Sequence, residues 1–389
     1  MATANYSIER TIKNFSGGVT GNGGVGKQIA VIVGGTPQVG DKFNIKLGTE
    51  NFGFVGKPSG RVTSLETLKD KVYAGAGSVL YYSGIGLPEG WDYLFDIGAG
   101  FNNMANSTSG QDNITGLAKY QGNLAVFSRW NTQIWFVDPE PSGNRQLQVL
   151  DNIGALSSRS IVAVGDIDVF FLSDTGIRSL RARDSSNAAF VSDIGTPIDP
   201  LIIETLRDMS DAEKSKACCV VEPEDGRYWL SIGPYIYVFT YFPGGKISAW
   251  GRYRPLSPVR WLTVRNGRVY ARCEDGSLLL LGGANNAEYD GTEVLVVTPF
   301  MDARQPGTHK QIAGIDLGVQ GEWVIDIALD PANPDQYERV AQIDRPTFSM
   351  EMIPVDGITS HFKLRARSVG DGYARLSNIA VHYDGVEAG

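Results

Sequence analysis

The chain has 389 residues, 42% of them hydrophobic and 20% charged, and its 43 acidic against 35 basic side chains give a formal net charge of −8. That length holds two or three domains with a sizeable core, the composition excludes wholesale disorder, and the negative balance argues against a protein that coats DNA. Three histidines and three cysteines leave little material for metal or nucleophilic chemistry. Glycine is the outlier, with 47 residues or about 12% of the chain against an average near 7%, set singly or in pairs between short apolar runs as turns require.

In chain order, residues 1–6 lack the basic and then apolar regions of a secretory signal. The longest apolar stretches, 235–242 and 278–281, fall far short of the ~20 residues a membrane helix needs. The expectation is a soluble protein made in the cytoplasm. The run Gly21-Asn-Gly23-Gly-Val-Gly26-Lys27 satisfies G-x-G-x-x-G and nearly satisfies the P-loop pattern. A phosphate cradle needs a strand before it and a helix after it. Here residues 13–18 do not read as a strand, Gln28 replaces the metal-binding hydroxyl, and residues 29–33 read as a strand, so the run is expected to be a flexible loop. Residues 29–33 and 43–47 read as a hairpin outside the repeats that follow, making 1–60 an N-terminal arm.

From 61 to 288 one grammar recurs: an apolar run, a tight turn, an alternating run, a second turn and a third run. Five copies start at 65, 114, 161, 218 and 261, separated by 43 to 57 residues. A repeat of that length built from three or four short strands is the mark of a β-propeller. Asn266-Gly267 and Asp275-Gly276 supply the residues that two-residue hairpins demand. A sixth copy is sought in 240–260 or in the N-terminal segment. The widest interval holds an inserted helical pair. Asp199-Pro200 offers an N-cap with Pro at the first helical position, followed by Leu201, Ile202 and Leu206, and Ser210 to Glu213 forms a capping box. Such an insertion is expected to make a partner contact rather than core.

After about 289 the alternation lengthens. Phe362, Leu364 and Ala366 face one way and Lys363, Arg365 and Arg367 the other, and six or more such strands suit a jelly-roll-like β-sandwich over 289–389. The fold class read from these patterns is all-β: a degenerate β-propeller over 61–288 with an inserted short helical segment, then a C-terminal β-sandwich.

Chemistry is sparse. Cys218, Cys219 and Cys273 have no disulfide spacing and read as buried free thiols. His309, His361 and His382 stand at no metal spacing, and no cofactor motif survives its context, so neither cofactor nor enzyme activity is expected. Ser173 to Gly176 and Asp225 to Trp229 only approach the boxes of propeller glycosidases, which leaves a glycan-binding or glycan-hydrolysing propeller as the alternative. The charge feature with most content is Arg252, Arg254, Arg260, Arg265, Arg268 and Arg272, interleaved with Trp250, Tyr253 and Trp261 and free of acids throughout 252–272. One reading is the solvated outer face of a blade. The functional readings are a subunit interface that includes Trp261 and pairs with an acidic neighbour, or contact with phosphates, and the overall negative charge favours the interface.

The third copy, from Val169 through Leu180, the run 191–202 behind it, Lys310 to Leu317, and the closing strand 376–383 resemble the tail nozzle or hub proteins of short-tailed bacteriophages, also described as packaged-DNA stabilisation or tail tubular proteins. The resemblance covers 60–389. It implies a structural virion protein of the tail that forms a homohexameric ring below the portal and its adaptor, continues the channel for double-stranded DNA, retains the packaged DNA and anchors fibres or spikes.

Overall fold

The computed structural model describes the backbone of residues 8–14, 27–33, 42–47 and 50–55, and in full detail most of 61–386 apart from 108–111, 185–192, 225, 243–246, 284–292, 348–351 and 371. The chain divides into two compact units, Met1–Leu279 and Leu280–Gly389.

The N-terminal strands pair differently from the expected hairpin. β1 (Ile8–Asn14) pairs with β2 (Lys27–Val33), and β3 (Lys42–Leu47) with β4 (Glu50–Val55). Alternation shows which residues form strands but not which strand each will choose. A strand therefore does precede the glycine cluster, contrary to expectation. Its partner β2 follows where a phosphate loop needs a helix; residues 21–26 themselves lie outside the described residues.

Five antiparallel sheets follow, each built from consecutive strands. The first holds β5 (Val62–Leu68), β6 (Lys71–Ala76), β7 (Val79–Tyr82) and β8 (Gly100–Asn103). The second holds β9 (Ile114–Tyr120), β10 (Asn123–Ser128), β11 (Asn131–Phe136) and β12 (Arg145–Asp151). The third has β13 (Ile161–Val164), β14 (Asp168–Ser173) and β15 (Gly176–Ser179). The fourth has β16 (Cys218–Glu222), β17 (Arg227–Ile232), β18 (Tyr235–Phe242) and β19 (Ile247–Tyr253), and the fifth β20 (Val259–Arg265), β21 (Arg268–Cys273) and β22 (Leu278–Leu280). Three of the expected copy starts, 114, 161 and 218, coincide with the first residues of β9, β13 and β16. Residues 247–253 form the outer strand of the fourth sheet and not part of a sixth blade.

The sheets stand in series. The first strand of each neighbours the first strand of the next, from β5 through β9, β13 and β16 to β20. Separate apolar cores fill the gaps. Tyr73, Leu80 and Tyr82 of the first sheet meet Leu117, Leu124 and Val126 of the second, and Phe127 of the second meets Phe171 of the third with ring centroids 5.0 Å apart. This is the blade-on-blade packing of a propeller. Glycine allows the close approach: a Cβ on Gly116 would lie 2.2 Å from Cδ1 of Ile161 in the next sheet. At the β20–β21 hairpin, Asn266 and Gly267 both take positive φ, 52° and 76°, as a type I′ turn demands.

The inserted helices are α1 (Leu180–Asp184), α2 (Asp199–Arg207) and α3 (Asp211–Lys214). The capping box on α3 forms as expected, with Ser210 and Glu213 exchanging hydrogen bonds. Two expectations on α2 are corrected. Its N-cap is Ile198 without a side-chain cap, because the Asp199 carboxylate turns instead to Nη1 of Arg178 at 2.8 and 3.0 Å. And α2 contributes to the core: Ile202 and Leu206 are buried with Leu172 and Ile177 of the third sheet and Leu230 and Ile232 of the fourth.

The second unit is a two-sheet β-sandwich. One sheet runs β23 (Leu295–Val297), β28 (Lys363–Ser368), β25 (Trp323–Ala328), β26 (Glu338–Ile343), and the other β27 (Ile353–Thr359), β24 (His309–Gln320), β29 (Arg375–Val386). Phe362, Leu364 and Ala366 enter its core as the alternation predicts, while Arg365 and Arg367 on the opposite side reach the buried Asp326 carboxylate at 2.8 and 3.3 Å. Among the described residues no helix is long and apolar enough to cross a membrane.

Candidate functional site

The arginine run does not form one patch. Arg252 sits on β19 of the fourth sheet with its guanidinium 4.7 Å from the ring centroid of Tyr235, and Arg254 is exposed in the bend that follows. Between Val259 and Trp261 the β20–β21 register shifts, which leaves Arg260 as the extra residue of a bulge. The bulge aims Arg260 at Glu274, 2.7 Å away, and that partner holds the Glu274 carboxyl below the usual carboxylate range.

The rest converge. Register pairs Trp261 with Arg272, Thr263 with Tyr270, and Arg265 with Arg268, and in an antiparallel ladder directly opposed residues share a face. That face points away from the buried side of the fifth sheet, formed by Val259, Leu262, Val269, Ala271 and Cys273. The buried side joins the fourth sheet, where Ser231 donates to the Val259 carbonyl at 3.0 Å. Trp261 remains 49% exposed, with Arg159 from the start of the third sheet 5.3 Å from its ring. The structure thus groups Trp261, Arg265, Arg268 and Arg272, leaves Arg252 and Arg254 off that face, and neutralises Arg260 locally.

At the other end of the series lies a surface that sequence reasoning missed. Leu65, Ala74, Tyr81 and Phe101 form one row across all four strands of the first sheet, on the face opposite the core side that carries Tyr73 and Tyr82. Leu65 is 62% exposed and Phe101 53%. The loop between β7 and β8 extends the surface: Tyr93 stands edge-on to Phe101 at 5.8 Å, and Phe95 and Ile97 are 77% and 81% exposed. Hydrogen bonds hold the loop, with Gly84 N–H donating to the Gly90 carbonyl at 2.8 Å and Asp92 N–H to the Asp96 carboxylate at 2.8 Å. One signal in the sequence marks it: no Lys or Arg occurs from 72 to 118, while Glu89, Asp92 and Asp96 fall within it.

Burial perturbs the acidity of several groups packed within the sheets. Burial lowers the Lys71 ammonium, but its Nζ donates to the carbonyls of Gly98 and Pro139, so it serves as a tie between the first two sheets. Burial pushes the Cys218 thiol up to about 11 and raises Cys219 and Tyr228 further. His382, expected on a strand surface, is there, 2.7 Å from Asp316 on the neighbouring strand. Among the described residues no three His, Cys, Asp or Glu side chains gather as a metal site would require.

No family model matches the chain, and no curated protein matches it. Among solved structures, BamB from Moraxella catarrhalis is similar over 62% of this chain and 67% of its own length, at 13% identity and a TM-score of 0.37. PorZ, a surface component of the type-IX secretion system of Porphyromonas gingivalis, is similar over 81% of this chain and 51% of its own, at 13% identity and a TM-score of 0.39. The computationally designed protein Ika8 is similar over 56% and 57%, at 15% identity and a TM-score of 0.36. The chain spans little more than half the length of Ika8 and PorZ. At this distance the likenesses carry no functional argument, and the propeller-like architecture stands on the chain's own five sheets.

Proposed function

We propose that this chain is a structural virion protein of the tail nozzle or hub type. It assembles as a hexameric ring below a portal and adaptor, continues the channel for DNA, retains the packaged genome and anchors fibres or spikes, without enzymatic activity. The observation that carries the reading is the series of five sheets, in which, among the described residues, the outer faces of the first and last sheets leave Leu65 and Phe101 more than half exposed and Trp261 49% exposed. A monomeric propeller buries such faces by closing on itself, and a ring component leaves them for neighbours. The resemblance of 169–180, 191–202, 310–317 and 376–383 to nozzle proteins supports the reading. The charge supports it too: a chain at −8 repels duplex phosphates, so DNA slides where a basic lumen would grip.

Native mass spectrometry and negative-stain imaging of the purified full chain test the reading. A closed hexameric ring, or one formed on adding a portal–adaptor assembly, is the expected result. A stable monomer that binds or cleaves saccharides refutes it in favour of a glycan-acting propeller.

A further inference from the structure

We infer that the two end faces of the sheet series are the halves of one head-to-tail contact, in which the outer face of the first sheet and its 84–101 loop dock on the outer face of the fifth sheet of a second copy of this chain. The contact rests on the ring reading above and gives it an interface. Within the unit, the first four sheets pack on one another through shared apolar cores and the fifth adjoins the fourth through β16 and β20, whereas among the described residues no shared core covers the outer faces of the first and fifth. The first offers Leu65, Tyr81 and Phe101 in one row, Tyr93 packed on Phe101, and the exposed Phe95 and Ile97 of the adjoining loop, large apolar side chains of the kind a soluble monomer seldom leaves open together. The second offers Trp261 among Arg265, Arg268 and Arg272, the residue types that anchor interfaces.

Charge selects the partner and the polarity. On the first face, β7, β8 and the 84–101 loop lie in a stretch without a basic residue, and that loop carries Glu89, Asp92 and Asp96, whereas β20 and β21 of the second face up to Arg272 lie in a stretch without an acidic one. Pairing either face with its own copy sets like charges against each other, so a symmetric dimer is disfavoured. Pairing the first face with the fifth sets acid against guanidinium and rings against rings. Because the two surfaces differ, each copy keeps one of each free for the next, and the assembly grows head to tail until it closes.

Two reversal variants of the full chain test this. One is Glu89→Arg with Asp92→Arg, and the other Arg265→Glu with Arg272→Glu. Each alone is expected to weaken self-association by about 100-fold or more, read as loss of the ring in native mass spectra. Mixing the two is expected to restore rings of alternating copies, because each mutated face then meets its complement. Because the Asp92 carboxylate accepts from Leu94 N–H, thermal melting verifies that each variant folds. Phe95→Ser with Ile97→Ser repeats the test on exposed side chains that the fold does not need. Rings that persist in all three variants overturn the contact while leaving the ring reading intact. Reversal variants that remain monomeric on mixing also overturn the pairing, and a monomeric wild type refutes the ring and the contact together.

Discussion

Replacing Arg178 with methionine is expected to lower the melting temperature of the first unit by about 8–16 °C. The Arg178 side chain is 9% exposed and the Asp193 carboxylate facing it 1%, with Nε and Oδ2 3.8 Å apart. Its Nη1 also reaches Asp199 at the start of α2 and the Ile177 carbonyl, and Nη2 the Thr175 carbonyl. One guanidinium thus ties the third sheet to the inserted helix. Methionine fills similar volume but strands a buried carboxylate, and breaking a buried pair costs about 3–5 kcal/mol. At about 2–4 °C per kcal/mol for a unit of this size, a loss near 4 kcal/mol gives the stated range. Differential scanning calorimetry is the assay, and the transition expected to move is that of the first unit. Gly176→Ala provides a second route to the same network, because its Cβ would lie 2.0 Å from Oδ1 of Asp199 at a φ of +126°. An Arg178→Met protein whose first transition stays within about 2 °C of wild type refutes the assignment of this cluster as a tie.

Further outcomes follow from other buried groups. At pH 8 a maleimide should label none of Cys218, Cys219 and Cys273 in the native chain and all three in denaturant, since all are buried; labelling of native Cys218 contradicts its placement. The same thiols make the first unit alkali-sensitive. An unfolded thiol loses its proton near pH 8.5, whereas folded Cys218 holds its own to about 11. The unfolded state therefore binds fewer protons in that window, so stability present below about pH 8.5 declines as pH rises through it. A melting temperature flat from pH 8 to 10.5 contradicts this. In the sandwich, buried Lys310 donates to the carbonyls of Gln305, Thr308 and Ser360 at 2.9, 2.8 and 3.1 Å. Lys310→Met removes three hydrogen bonds at once, so the second transition should drop by an amount equivalent to about 2–4 kcal/mol with the first unmoved.

Much of the first unit is legible in the sequence because each sheet is drawn from consecutive residues, so its turns and strands occur in one window. Asn266-Gly267 marks a hairpin without reference to anything distant, and the capping box at Ser210 is equally local. What stayed hidden depends on partners far along the chain. Asp199 reads as a cap until Arg178, 21 residues upstream, is known to sit beside it. Residues 29–33 are a continuous apolar run that reads as a strand, yet that run does not name β1 as its partner. The arginine run reads as one patch, and a single bulged residue diverts Arg260 from it. The apolar row on the first sheet escaped notice because Leu65, Ala74, Tyr81 and Phe101 come from four separate strands, and only the register aligns them.

The consecutive order of strands within each sheet bears on how the chain acquires its structure. A sheet whose strands are joined by short turns closes small loops and incurs little loop entropy. Each can form as soon as its own 19 to 42 residues exist, before the next has been made; the third spans 161–179 and the first 62–103. Synthesis from the N-terminus then extends the series one blade at a time, with each finished sheet offering its inner face as the template for the following one. Growth stops at β22, after which the chain switches to the long pairings of the sandwich. The face left open at that point is the one bearing Trp261 and Arg272, so the two docking surfaces are completed at opposite ends of the blade-by-blade sequence, the first sheet's early and the fifth's last.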